Sequence, residues 1–347
     1  TDKLTNYTYE GLNIVDNINT DYSGEKINTI SWAPDSGSIL VAGANSGGDE
    51  IYFYIIERTN LEEEIISLNN TTAYGSNNTV YSSAYTPDSS YRAVGGDYTN
   101  NEIQFGSHYQ NYGGTRVNAL VFSPDGNYLF AGGNASSEEV VVYYVEDDYS
   151  LTGSISTANY TGSSVYSIDI TKDQNFVAIA GNNPAIELYS FNIYDGSLTL
   201  EDTVTYSGSY VNTLSFSPNG KLLAAGGNNG VAIYSIENNS LILRATLSSL
   251  SSIIYDLKIS PDSMKVFVVG NNSKLEQIPL PMKYQFSSNS YETYNWQTYT
   301  LSFALSISDN AITFGNSKLG SNYNLNANIL NGARLILSVP LNVDNTK

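Results

Sequence analysis

An all-β fold built from seven copies of one four-stranded unit is what the sequence predicts, on three observations. One pattern recurs along the 347 residues: alternating apolar and small polar positions, then Pro-Asp or Pro-Asn, then a short apolar run ending in glycine. The composition suits strands and turns, with 29 Tyr, 26 Thr, 41 Asn, 45 Ser and 28 Gly. No 3.6-residue apolar period persists, which excludes a helical solenoid.

The copies begin at Ile27 (INTISWAPDSGSILVAG), Val80 (VYSSAYTPDSSYRAVGG), Val117 (VNALVFSPDGNYLFAGG), Val165 (VYSIDITKDQNFVAIAG), Val211 (VNTLSFSPNGKLLAAGG) and Ile254 (IYDLKISPDSMKVFVVG). A worn seventh, LSISDNAITFGNSKL, begins at Leu305 and lacks the proline. The anchor positions are Asp35, Asp88, Asp125, Asp173, Asn219, Asp262 and Asp309, spaced by 53, 37, 48, 46, 43 and 47 residues. A glycine follows each anchor by six to eight residues: Gly43, Gly95, Gly132, Gly181, Gly226, Gly270 and Gly315.

Each unit reads as four strands. Half-buried first strands are expected at Ile27–Pro34, Val80–Pro87, Val117–Pro124, Val165–Lys172, Val211–Pro218, Ile254–Pro261 and Ser302–Ser308. The Pro-Asp-Gly type of sequence then supplies a turn in which glycine is free to adopt positive φ. Second strands such as Leu222–Ala225 and Phe176–Ala180 are apolar on both faces and must lie between layers, their glycines letting neighbouring sheets approach. Third strands carry an aromatic, Tyr143, Tyr189 or Tyr234, and fourth strands such as Leu241–Leu247 lead to the next copy. Four strands per unit, repeated at this spacing, are the blades of a seven-bladed β-propeller filling residues 27–347 behind an N-terminal segment, 1–26.

The census of residues excludes several function classes. Lys and Arg number 15 against 34 Asp and Glu, a net charge of −19, which repels nucleic acid. There is no cysteine, hence no disulfide, thiolate metal site or cysteine nucleophile. The longest apolar runs, Ile51–Ile56 and Val140–Val145, are far too short to span a membrane. The chain opens on Thr1, which reads as a processed or partial N-terminus.

No catalytic constellation emerges, and neither a metal nor a cofactor is expected. His108 is the one histidine, in Gly106-Ser107-His108-Tyr109, read as a polar inter-blade connection. The anchor acids read as turn residues that hydrogen-bond their own backbone rather than as metal ligands, since Asn219 replaces them without charge. Glu62-Glu63-Glu64 and Glu146-Asp147-Asp148 lack the spacing of a calcium loop and read as solvated loop faces. Gly226-Gly227-Asn228-Asn229-Gly230 lacks the Gly-Lys-Ser/Thr ending of a phosphate loop. Glycosylation sequons occur at Asn6, Asn69, Asn70, Asn77, Asn134, Asn159, Asn238 and Asn271, about the number composition alone gives; all but Asn6 and Asn159 are expected in turns or loops.

The phrases FSPDG, LAAGG and VAIY resemble the blades of the WD-repeat and YVTN-type propeller families over about residues 27–315. The Gly-His and Trp-Asp signatures are missing, and one histidine cannot supply the His-Ser/Thr-Asp-Trp network in a series of blades. The resemblance implies a scaffold rather than a chemistry. Three readings follow: a non-enzymatic extracellular structural or adhesive protein whose partner is itself, an intracellular interaction scaffold, and a propeller enzyme of lactonase or quinone-dependent type, which the census disfavours. Leu12–Ile18 and Leu335–Leu341 both read as strands able to close the ring, so that one is spare and available for exchange between molecules.

Overall fold

The computed structural model describes residues 26–280, apart from 45–47, 61–62, 76–77, 136, 248–252 and 273–274, and short backbone segments between 307 and 338. The chain divides into two compact units, Thr1–Ser287 and Ser288–Lys347.

The first unit holds six antiparallel sheets, each a meander. Blade 1 comprises β1 (Lys26–Trp32), β2 (Ser38–Ala44), β3 (Ile51–Asn60) and β4 (Glu63–Thr72). Blade 2 comprises β5 (Val80–Tyr85), β6 (Arg92–Gly96), β7 (Ile103–Phe105) and β8 (His108–Gln110). Blade 3 follows with β9 (Arg116–Phe122), β10 (Tyr128–Asn134), β11 (Val140–Tyr144) and β12 (Ser156–Ala158). In blade 4 the strands are β13 (Val165–Ile170), β14 (Phe176–Gly181), β15 (Ala185–Phe191) and β16 (Leu198–Thr205). Blade 5 has β17 (Val211–Phe216), β18 (Leu222–Gly227), β19 (Gly230–Glu237) and β20 (Ser240–Leu247). Three strands, β21 (Ile254–Ile259), β22 (Lys265–Gly270) and β23 (Leu275–Pro279), are described for blade 6. Consecutive blades touch through their first strands, from β1 against β5 to β17 against β21.

Six of the seven expected first strands form, but each of these stops two residues short of its expected end. Those two residues belong to the turn: Ser36 N donates to Ala33 O at 2.8 Å and Ala33 N to Ser38 O at 2.9 Å. Each anchor oxygen accepts from the backbone N–H two residues on, at 2.8 Å for Asp35 and between 2.9 and 3.2 Å for Asp88, Asp125, Asp173, Asn219 and Asp262. The hydroxyls of Thr86, Ser123, Ser217 and Ser260 donate to the same oxygens, at 2.5 to 2.7 Å. The residue after the anchor is left-handed in all six turns, with φ of 57° to 79°, yet it is glycine only at Gly126 and Gly220; Ser36, Ser89, Gln174 and Ser263 hold it elsewhere. The anchor hydrogen bonds thus impose a conformation that a non-glycine residue adopts only under strain.

Every first strand carries a β-bulge at its second repeat position. In blade 3, Val117 faces Gly133 and Ala119 faces Gly132, leaving Asn118 extra. The same shift falls at Asn28, Tyr81, Tyr166, Asn212 and Tyr255. It explains the glycines: a Cβ on Gly133 would lie 1.9 Å from Arg116 O, and on Gly43 it would lie 1.8 Å from Lys26 O. The glycine one step earlier in the double-glycine copies serves the other expected purpose, since a Cβ on Gly132 would lie 2.7 Å from Val165 Cγ1 of the next blade.

Second strands are buried along nearly their whole length in blades 1 to 5. Apolar clusters fill each inter-blade space, as where Phe130, Val140 and Val142 of blade 3 meet Ile168, Val177 and Tyr189 of blade 4. Burying each such side chain stabilises by about 1.5–3 kcal/mol.

The second unit is described as a three-stranded sheet, β24 (Ile307–Ser308), β25 (Ala311–Phe314) and β26 (Ser317–Lys318), and a hairpin, β27 (Asn326–Leu330) with β28 (Arg334–Ser338). Of the expected strand Ser302–Ser308 only Ile307 and Ser308 are described, as β24; the rest of it, Asp309, Gly315 and Leu12–Ile18 lie outside the described residues. Leu335, expected in a spare strand, is paired with Ile329 in the hairpin, so that strand already has one partner.

Candidate binding face at the channel mouth

The bulge re-aims one side chain per blade at the start of each first strand, next to the axis. Those six residues alternate: Asn28, Tyr81, Asn118, Tyr166, Asn212, Tyr255. Each asparagine donates to a first-strand carbonyl of the following blade, Asn28 Nδ2 to Val80 O at 2.9 Å, Asn118 Nδ2 to Val165 O at 2.8 Å and Asn212 Nδ2 to Ile254 O at 2.7 Å. The tyrosines point outward enough to be half-buried or exposed. The Tyr81 ring lies under the Arg116 guanidinium, 4.8 Å from its centre, whereas Tyr166, Tyr210, Asn212, Ile253 and Tyr255 line a cleft of about 530 Å³ across blades 4 to 6.

Below this rim, side chains saturate the inner edges of the first strands, which have no strand partner toward the axis. Ser167 Oγ accepts from Leu214 N at 2.9 Å, Ser215 Oγ from Ile259 N at 3.2 Å, and Asp169 Oδ2 from Phe216 N at 2.6 Å. Blades 4 to 6 thereby contribute Asp169, Thr213, Asp256 and Lys258, while blades 2 and 3 contribute Ala84, Ala119 and Val121 at the same repeat positions. Burial pushes the Asp169 carboxyl above its usual range, opposed by the Lys258 charge and by hydrogen bonds from the Phe216 and Ile170 backbones.

A second recurring device, which sequence reading missed, closes the same face. After the fourth strand, Tyr74, Tyr112, Tyr160 and Tyr206 each send a hydroxyl to the next blade: to Glu102 O at 2.5 Å, Glu139 O at 2.5 Å, Ala185 O at 2.9 Å and Gly230 O at 2.7 Å. Buried glutamates answer from the residue just before each third strand, Glu50 accepting from Tyr74 N at 2.7 Å, Glu102 from Tyr112 N at 3.0 Å and Glu139 from Tyr160 N at 3.0 Å. Burial holds the Glu50 carboxyl above its usual range, partly offset by the Tyr74 N–H. The signal of this tyrosine clasp was legible as Tyr-x-Gly at Tyr112, Tyr160 and Tyr206; the glycine lets the ring fold back, a Cβ on Gly162 lying 2.6 Å from Tyr160 Cε1.

The other expected residues lie apart from this face. His108 is exposed at the start of β8, inside blade 2 rather than in an inter-blade connection. Asp148 closes a turn by accepting from Ser150 N at 3.0 Å, and Asp147 beside it is exposed. Asn69 and Asn70 lie on strand β4 rather than in a turn, and Asn134 ends β10, all exposed; Asn159, Asn238 and Asn271 are exposed in connections, while Asn6 and Asn77 lie outside the described residues, as do Glu62 and the side chains of Glu63 and Glu64. Among the described residues no three His, Asp or Glu side chains are placed to hold a metal ion, and no helix is long and apolar enough to cross a membrane.

The profile of a family described as lactonase, 7-bladed β-propeller, matches residues 20–252. The chain belongs to that family. No curated protein matches the sequence. Among solved structures, Sqt1 from Chaetomium thermophilum superposes with a TM-score of 0.60 at 14% identity, covering 76% of this chain and 71% of that one. The same protein bound to the N-terminus of a ribosomal protein gives 0.55 at 14% identity over 70% and 69% of the two chains. A chain of a mitotic checkpoint complex gives 0.59 at 19% identity over 76% of each. At these identities the likeness is one of fold: the lactonase-family chain is a WD-like propeller of four-stranded blades.

Proposed function

We propose that the protein is a non-catalytic binding propeller of seven blades that takes a protein segment on the bulge face of its channel. The observation that carries this reading is the aromatic cleft of Tyr166, Tyr210 and Tyr255, set on a rigid rim of repeated bulges. Tyrosines anchored on a stiff scaffold supply large contact area at small entropic cost, and Sqt1, a propeller of like fold, is described with a peptide terminus bound. The test is selection of binding peptides from a random library, followed by the variant Tyr166→Ser/Tyr255→Ser. Selected peptides are expected to lose at least about tenfold in affinity on the variant, with its melting unchanged; equal affinity removes the cleft from the site.

Seven blades are proposed because apolar side chains are exposed on the outward faces of both blade 1 and blade 6. Ile30 and Trp32 of blade 1 are 50% and 55% exposed, although their counterparts Leu214 and Phe216 are buried. Blade 6 exposes Val269 and Leu275 in the same manner. The repeat from Leu305 is the proposed cover, with Leu12–Ile18 as its fourth strand; Tyr22-Ser23-Gly24 directly after it repeats Tyr206-Ser207-Gly208. Removal of residues 1–20 is then expected to open the ring or, if that strand is exchanged between secreted molecules, to abolish a filament. Sedimentation and microscopy decide, and equally stable monomers before and after truncation would remove both the closing strand and self-assembly.

Lactone hydrolysis is the second reading, favoured by the family and by Asp169 and Lys258 in the channel. Against it, Asp169 spends both oxygens on the backbone N–H groups of Ile170 and Phe216. Turnover of simple lactones by the purified protein, lost in Lys258→Ala, would establish this reading in place of the first.

A further inference from the structure

Between blades 1 and 2 the repeat departs from its own rule. The third-strand positions facing the preceding blade hold Val141 and Tyr143 in blade 3, Glu187 and Tyr189 in blade 4, and Ala232 and Tyr234 in blade 5. Blade 2 has Gln104 and Gly106 there, the glycine at φ 58°. On the second strand, where Leu129, Val177 and Leu223 are fully buried in blades 3 to 5, blade 2 has Arg92. These three replacements meet at one place, and a cavity of about 260 Å³ opens there. Its apolar wall is Leu40, Ile51 and Val94.

Gln104 is 9% exposed and lines this cavity. Its Nε2 donates to Gly106 O at 3.3 Å, but its buried Oε1 accepts from nothing. An acceptor left so is costly, and native proteins rarely keep one without a partner. Blade 4 shows which partner the repeat supplies. There the Tyr189 hydroxyl donates at 2.7 Å to Oε2 of Glu187, the residue equivalent to Gln104. Blade 2 retains the acceptor but has Gly106 at the position of the phenol, with the Tyr91 ring lining the cavity beside it. Arg92 closes the other side, its guanidinium 4.1 Å above the Phe53 ring, a group that also stacks readily on an incoming aromatic face.

We infer that the cavity between blades 1 and 2 is a binding site for a phenolic ring, seated beside the position where blades 3 to 5 carry their own tyrosine, with its hydroxyl donating to Gln104 Oε1 once that buried amide oxygen turns toward the ring. The ring is either that of a free phenol or that of a tyrosine side chain on a peptide. Nothing in the bulge-face cleft is needed for it, so the two sites fail independently.

The test uses the full chain with p-cresol, toluene and N-acetyltyrosinamide, read by calorimetry and by crystal soaking. p-Cresol is expected to bind in the cavity at least about tenfold more tightly than toluene, the difference of one buried hydrogen bond. Gln104→Val, which installs the blade 3 residue, is expected to erase that preference while leaving the protein folded. Binding of N-acetyltyrosinamide at the same place assigns the site to a tyrosine side chain; its exclusion, with p-cresol retained, assigns it to a free phenol. Equal affinity for p-cresol and toluene, or ordered water on Gln104 Oε1 with no ring bound at millimolar p-cresol, overturns the inference.

Discussion

Two stretches of the same propeller, the interface between blades 2 and 3 and the outward flank of blade 1, place equivalent side chains in opposite surroundings. Phe122 and Trp32 occupy one repeat position, yet the first is buried and the second lies half in solvent. Strand β10 is buried on both faces, whereas its counterpart β22 in blade 6 alternates between buried and more exposed residues. Burial in a repeat fold is therefore conferred by the neighbouring blade, and a residue's own pattern states only which neighbour it needs.

The largest effect is expected inside blade 3, where two strands of one sheet approach most closely. Gly133→Ala would drive a Cβ into Arg116 O and should destabilise by about 3 kcal/mol or more, or prevent folding, as chemical denaturation would record. Trp32→Ala sharpens the comparison: with a seventh blade seated on the flank, the loss should be about 2–3 kcal/mol, and a change within about 0.5 kcal/mol means that the flank is bare. Tyr112→Phe, which removes one clasp hydroxyl, should cost about 1 kcal/mol, and an unchanged midpoint would deny the clasp a stabilising role. Smaller still, Gln174→Gly should stabilise by about 0.5–1 kcal/mol by relieving a left-handed φ of 61°.

A pH experiment separates the channel from the turns. Burial raises the Asp169 carboxyl, so the folded chain binds that proton more tightly than the unfolded chain does. Its contribution to stability is full below the ordinary value of 3.8 and is lost as pH rises through the folded value. Asp88 runs oppositely, held low by the Thr86 hydroxyl and the Ser90 N–H, and stabilises above 3.8 but not below. Asp169→Asn should therefore steepen the loss of stability on acidification, and a pH profile identical to that of the parent would refute the assignment.

The first strands, the anchor turns and the buried second strands were legible because each is written in contiguous residues, as in Ser217-Pro218-Asn219-Gly220. The clasp was missed, because Tyr112 and its acceptor at Glu139 are separated by two strands, and a recurring tyrosine among 29 attracts no notice. The bulge also escaped reading, since Gly132 and Gly133 look interchangeable until the register assigns one to the next blade and one to Arg116 O. The anchor turns showed the reverse: Pro-Asp-Gly suggested glycine for the left-handed position, while Ser89 and Gln174 hold it under the hydrogen bonds of Asp88 and Asp173.

The alternation of bulge residues carries an arithmetic of its own. Asparagines tie blade 1 to blade 2, blade 3 to blade 4, and blade 5 to blade 6, so the smallest translational unit is a couple of blades rather than one. A two-step pattern cannot close on an odd count without a fault, and the equivalent position of the seventh copy holds Ser302, neither amide nor phenol. In the proposed ring of seven blades, parity thus singles out one seam. Enlarging such a ring by a couple of blades would preserve the alternation, whereas adding one blade would create or erase the fault.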